Sequence, residues 1–167
     1  MPPPQVRARL AEAAADLQVR LVPGGRATDA ARLHVTLVFL GEFAADSDAP
    51  ARACWAAARV REDAFDLVLD SAGSFTGARP PWVLSGSKAS EACLPLRRAL
   101  QRELHDSGFQ VGEARDFVAH VTFVRHADFA LPEQPIVPIA WPVRDFALLE
   151  SHPAERRYDE LARWPLR

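Results

Sequence analysis

One short pattern occurs twice in this chain. His34-Val35-Thr36-Leu37 and His120-Val121-Thr122-Phe123 stand 86 positions apart, 34 to 120, each within an apolar run. Near-identical copies in a chain with only five histidines point to internal duplication rather than chance. The repetition constrains the fold, because both copies must then adopt the same local conformation. Leu33 to Leu40, closed by Gly41, reads as a strand buried on both faces, and Phe117 to Val124 reads as a second strand. Side chains alternate along a strand, so His34 and Thr36 share one face and stand about 6.6–7 Å apart. His120 and Thr122 do the same, while Val35, Leu37, Val121 and Phe123 turn to the core. If the halves pack as pseudo-symmetric lobes, four polar side chains meet in one cleft.

The rest of the chain alternates between helical and extended periodicity. Val6, Leu10, Ala14 and Leu17 recur at helical spacing behind a proline-led start, and Gly24-Gly25 ends the connection that follows. A second helix is expected from about Pro50 to Val60. A third, capped by Ser90, carries Leu96, Leu100 and Leu104, with Gly108 beyond its end and Pro95 disturbing its first turn. Phe65 to Asp70 and Pro81 to Ser85 read as paired strands, and Val143 to Glu150 as another. Pro132, Pro135 and Pro138 predict a stiff connector. About three helices mixed with five or more strands indicate an α+β or α/β sandwich, with residues 1–167 forming one domain of two lobes on a shared core.

Paired imidazoles suit in-line attack at phosphorus. One neutral ring takes a proton from water while the other, protonated, gives one to a departing ribose oxygen, and both states are accessible to a group titrating near ~6.5. The threonine hydroxyls would hold the nonbridging oxygens. An isolated strand histidine is more often a satisfied core residue; the second copy reverses that preference. His105, beside Asp106, and His152, before Pro153, read as surface residues, and His126 as a rim residue. A zinc hydrolase is disfavoured, since the sequence has no His-x-His, no HExxH and no cysteine pair at ligand spacing. Cys54 and Cys93 fall in expected helices and read as reduced, buried thiols.

A formal charge of -2 argues against a long nonspecific nucleic-acid footprint, so any RNA contact is local. Of 20 basic residues only Lys88 is lysine, and although arginine forks suit phosphate, compositional bias is the simpler source. The start carries no basic region followed by an apolar run, and no stretch approaches the ~20 apolar residues of a membrane span, which leaves a cytoplasmic expectation with no membrane partner.

Taken together, these segments resemble the 2H phosphoesterases, and among them the bacterial RNA 2′,3′-cyclic phosphodiesterases once called 2′-5′ RNA ligases. The likeness covers nearly the whole chain. It lies in Leu33 to Glu42, in Gly73 to Leu84 as a glycine-phenylalanine turn followed by an Arg-Pro strand, in Phe117 to Arg125, and in the ending Tyr158 to Leu166. The resemblance implies an α+β, bilobal, pseudo-symmetric fold with two antiparallel sheets forming a central cleft and helices outside. It implies metal-independent hydrolysis of RNA 2′,3′-cyclic phosphate ends to 2′-phosphomonoesters without a cofactor. By it His34 and His120 are catalytic, and Thr36, Thr122 and Arg125 bind phosphate. Simple alternation puts Arg125 on the face opposite His120, so a bulge or the strand's end must intervene. Arg79 and Arg115 read as ordinary surface charges.

Two departures stand out. Where relatives usually carry prolines near the second motif, this chain has Asp116 and Ala119. Relatives also begin with a short apolar strand before the first helix, whereas here Met1 falls where that strand would end. Partners are expected to be RNA or oligonucleotide ends, with a monomer favoured. The alternatives are a 2H phosphoesterase acting on another small cyclic phosphate, and an RNA-end-binding protein without turnover.

Overall fold

The structure is a computed structural model, and it describes residues 1–44, 46–112 and 117–167. Arg115 and Asp116 therefore lie outside the described residues. The chain divides into two compact units, the first made of Met1–Thr36, Asp66–Glu91 and Val118–Trp141, the second of Leu37–Phe65, Ala92–Phe117 and Pro142–Arg167. The division does not follow the two halves of the sequence: both His-x-Thr motifs belong to the first unit.

In the first unit, helix α1 spans Pro4–Leu21 and buries the stripe Val6, Leu10, Ala14 and Leu17 that its spacing predicts. Strands β1 (Arg26–Ala27), β2 (Phe65–Ser74), β3 (Trp82–Ser85), β4 (His120–Arg125) and β5 (Gln134–Val143) form one sheet in the order β1-β4-β3-β2-β5. Antiparallel ladders join β1 to β4, β4 to β3 and β3 to β2. Their inward residues, among them Leu67, Leu69, Trp82, Leu84, Val121 and Phe123, are fully covered. Each side chain of this size contributes about 1.5–3 kcal/mol when removed from water. The Trp82 indole N–H also donates to the Phe129 carbonyl at 2.9 Å, so the largest buried ring leaves no orphan donor.

The predicted strand Leu33 to Leu40 does not form. Only Val35 pairs, through a single antiparallel bridge to Val121. Thr36 and Phe39 are exposed, which two-sided burial would forbid. The reason lies in the chain's path along β4. Residues 26 and 27 pair with 125 and 124, the Thr28 N–H donates to Phe123, and the next contact is Val35 with Val121. Residues 29–34 loop out between these contacts through a 3₁₀ turn, Ala30–Arg32.

The proline connector is also corrected, because Pro135, Pro138 and Pro142 lie within β5. That strand ends the sheet order, and all three prolines are exposed. An edge strand has one side with no ladder to complete, so missing N–H groups cost it little.

The second unit contains α2 (Ala49–Ala57), most of α3 (Ala89–Asp106) and a hairpin of β6 (Asp145–His152) with β7 (Arg157–Pro165). Its core sets Ala49, Ala53 and Ala56 of α2 with Leu96, Leu100 and Leu104 of α3, Phe109 and Phe146. Small residues on α2 leave room for the larger ones on α3. Because α3 starts at Ala89, Ser90 sits inside its first turn and is not the expected cap. Strand β7 went unread because its residues alternate between exposed and half-buried, with no fully buried apolar face to mark them.

Candidate active site

All five candidate residues, His34, Thr36, His120, Thr122 and Arg125, line one pocket of about 200 Å³ within the first unit, joined there by Thr28 and Arg32. The lining has two guanidinium groups, two imidazoles and three hydroxyls, and no acidic side chain among the described residues. Pockets that enclose whole small ligands usually run ~300–1,000 Å³, so this one suits a phosphate with part of its ribose rather than an engulfed nucleotide.

The two imidazoles are anchored alike. His34 Nδ1 lies 2.7 Å from the Arg32 carbonyl, and His120 Nδ1 lies 2.7 Å from the Val118 carbonyl, the same i−2 position in each motif. A carbonyl oxygen only accepts, so Nδ1 carries hydrogen in both rings and Nε2 is left for proton exchange. At His34, Nε2 meets Thr36 Oγ1 at 3.0 Å; with the Nδ1–H tautomer in place the hydroxyl donates to the ring. Burial holds the His34 pKa below its usual 6.5, and neighbouring positive charges, Arg125 and His120 among them, act in the same sense. His120 packs against the edge of Phe75, with ring centroids 4.8 Å apart and planes at 86°.

Arg125 joins this face through the bulge that its assignment required. Val83 pairs with Thr122 but Trp82 pairs with Val124, so Phe123 is an extra residue in β4. Phe123 and Val124 are consequently both buried in succession, and alternation resumes with Arg125 turned to the side of His120 and Thr122. Gly25 supports that end of the strand. At φ +65° it lies so close that a Cβ would come within 2.5 Å of the Arg125 and His126 carbonyl oxygens.

Other expectations fare unevenly. Arg79 forms an exposed ion pair with Asp128 at 3.2 Å, an ordinary surface role. His105 is exposed, as expected, but His152 is half-buried on the β6–β7 hairpin, 3.1 Å from Asp159. His126 is exposed, adopts positive φ and does not line the pocket. Cys93 is buried, which pushes its thiol up to about 11, whereas Cys54 is only half-buried. Thr28 and Arg32 escape the periodicity because Thr28 lies just before the looped-out residues and Arg32 within them; nothing in their spacing signals a shared face with His34. The Thr28 hydroxyl oxygen is buried without a hydrogen-bond partner among the described residues. Among those residues no helix is long and apolar enough to cross a membrane.

Known proteins resemble the chain over most of its length. The chain is 34% identical over 146 residues to the RNA 2′,3′-cyclic phosphodiesterase of Escherichia coli strain K12, covering 85% of this chain and 80% of that protein. The crystal structure of E. coli LigT complexed with 3′-AMP superposes with a TM-score of 0.81 at 29% identity, covering 99% of this chain and 94% of that one. LigT complexed with phosphate gives a TM-score of 0.74 at 28% identity, covering 99% and 93%. The α+β fold is accordingly that of a 2H phosphoesterase. With the doubled His-x-Thr motif gathered in one pocket and the family model matching residues 2–155, the chain belongs to the 2′-5′ RNA ligase superfamily.

Proposed function

We propose that the protein hydrolyses RNA 2′,3′-cyclic phosphate ends to 2′-phosphomonoesters, with His34 and His120 as a base and acid pair. The observation that carries this reading is the matched anchoring of both rings through Nδ1, which leaves both Nε2 atoms for one pocket lined by polar and basic residues. The likeness to the E. coli RNA 2′,3′-cyclic phosphodiesterase supports the choice of substrate.

Lowered basicity makes His34 the base, since it is neutral at pH 7. Once a nonbridging phosphate oxygen takes over the Thr36 hydroxyl, His34 Nε2 is released to accept a proton from water. The water oxygen bonds to phosphorus, the bond from phosphorus to O3′ breaks, and His120 Nε2–H protonates O3′. Arg125, Thr36 and Thr122 hold the charged oxygens as negative charge grows on them. The Thr28 hydroxyl would also gain an acceptor there, removing a desolvation cost of about 1–3 kcal/mol. This acid–base chemistry involves no resident metal or cofactor. The reading further has the enzyme act as a cytoplasmic monomer on RNA or oligonucleotide ends.

The test is incubation with a nucleoside 2′,3′-cyclic phosphate in EDTA, with the product isomer identified. A 2′-phosphate is expected. A product bearing only a 3′-phosphate, a requirement for added divalent metal, or binding without turnover would overturn the assignment.

A further inference from the structure

The peptide group that orients His120 is itself held from behind. The Val118 carbonyl accepts from His120 Nδ1 at 2.7 Å, and the Ala119 N–H donates to Ser90 Oγ at 3.0 Å. These two groups are the opposite ends of one peptide unit. No peptide bond among the described residues is cis, so this carbonyl and N–H point to opposite sides of one rigid plane. Ser90 fixes one side of that plane and the imidazole leans on the other. An N–H already engaged also polarises its carbonyl and makes it a better acceptor.

The other histidine has the same device built from backbone alone. The Arg32 carbonyl accepts from His34 Nδ1, and the N–H of that same peptide unit, on Leu33, donates to Ala30 O at 3.2 Å. The 3₁₀ turn supplies the backing there. At His120 a side chain from the first turn of α3 does the work. Many hydrolytic histidines are oriented by a carboxylate. Here the groups around His120 within the pocket are His34, Arg32 and Arg125, with the Phe75 ring beside it and no acid among the described lining residues. Orientation therefore falls to the peptide plane.

We infer that Ser90 is a positioning residue for the reaction: through the Val118–Ala119 peptide it fixes the tautomer and direction of the His120 ring. This rests on the acid–base reading of His120 given above. It gives α3 a direct part in the active site, although the Ser90 side chain does not line the pocket.

The experiment pairs kinetics with ¹⁵N NMR of the histidine rings. Ser90→Ala is expected to lower kcat on a nucleoside 2′,3′-cyclic phosphate about tenfold, with KM changed less than about twofold, since misdirection of a catalytic group costs rate more than affinity. Its neutral His120 ring should shift from the Nδ1–H toward the Nε2–H form, while His34 stays as it was. Ser90→Thr, which keeps the hydroxyl, should restore both. In the unaltered protein the Ala119 amide should be protected from hydrogen exchange. An unprotected Ala119 amide would overturn the inference whether or not either variant folds. So would Ser90→Ala with unchanged kcat and unchanged His120 tautomer, or Ser90→Thr as impaired as Ser90→Ala. Inactivity of the unaltered protein would count against the proposed function alone, because the exchange and tautomer measurements still decide whether the relay exists.

Discussion

At the scale of single residues, the proposed chemistry turns on the proton affinity of one ring, that of His34. Burial depresses His34, so as pH falls the unfolded chain takes up a proton at about the ordinary 6.5 before the folded protein does. The stability contributed by neutral His34 is thus full above that pH and is lost as pH drops through the lowered folded value. The acidic limb of kcat/KM should lie below pH 6.5, and His34 should titrate there by NMR in the free enzyme. Inorganic phosphate, a stand-in anion, should move that titration upward by favouring the imidazolium. An acidic limb above the ordinary histidine value would exclude His34 as base. Replacing either histidine by alanine should lower kcat by about 10²–10⁴-fold with the fold intact, since the proposed reaction gives each a proton transfer. Thr36→Val and Thr122→Val should lose less, about 10–100-fold, the worth of a hydrogen bond to a charged group. These four positions were legible because the motif is written twice; Thr28 and Arg32 were not, because a loop rather than a period brings them in.

At the scale of elements, one extra residue in β4 decides the composition of the pocket. Without the bulge at Phe123, Arg125 would share a face with Val121, away from Thr122. Gly25 is the counterpart that lets β1 close on that strand end, at a positive φ and in contact with the Arg125 carbonyl. Gly25→Ala should therefore destabilise the protein by about 1–3 kcal/mol through backbone strain, and raise KM more than it lowers kcat by shifting Arg125. Thermal unfolding and steady-state kinetics check both; unchanged KM would separate Gly25 from the site. The sequence announced the need for a bulge, since strict alternation conflicted with the arginine's expected role. It could not reveal that Leu33 to Leu40 makes only a single bridge. Apolar periodicity reports what can be buried, not whether a partner strand runs alongside. The same limit hid β5, whose prolines read as a connector until its place at the sheet's edge was known.

At the scale of the molecule, charge is concentrated where the reaction would occur. The chain carries -2 overall, yet the pocket gathers Arg32 and Arg125 with two imidazoles and no acid among the described residues. Attraction for a phosphate is consequently local, and a long RNA gains little beyond its end. With the one terminal phosphate neutralised, log K should fall against log salt with a slope of only about −0.7, far shallower than for proteins that track many phosphates. A cyclic-phosphate-ended oligonucleotide and the matching mononucleotide should then show nearly equal salt slopes in KM, because both present the same terminal group to the same two guanidinium groups. Arg125→Ala should flatten both slopes, by no more than about 0.7, the worth of that single phosphate contact. Measuring KM for the pair across a salt series decides the matter. A slope that steepens with oligonucleotide length would mean that cations outside this pocket follow the RNA backbone, and the substrate would then be a longer stretch of RNA than its cyclic end.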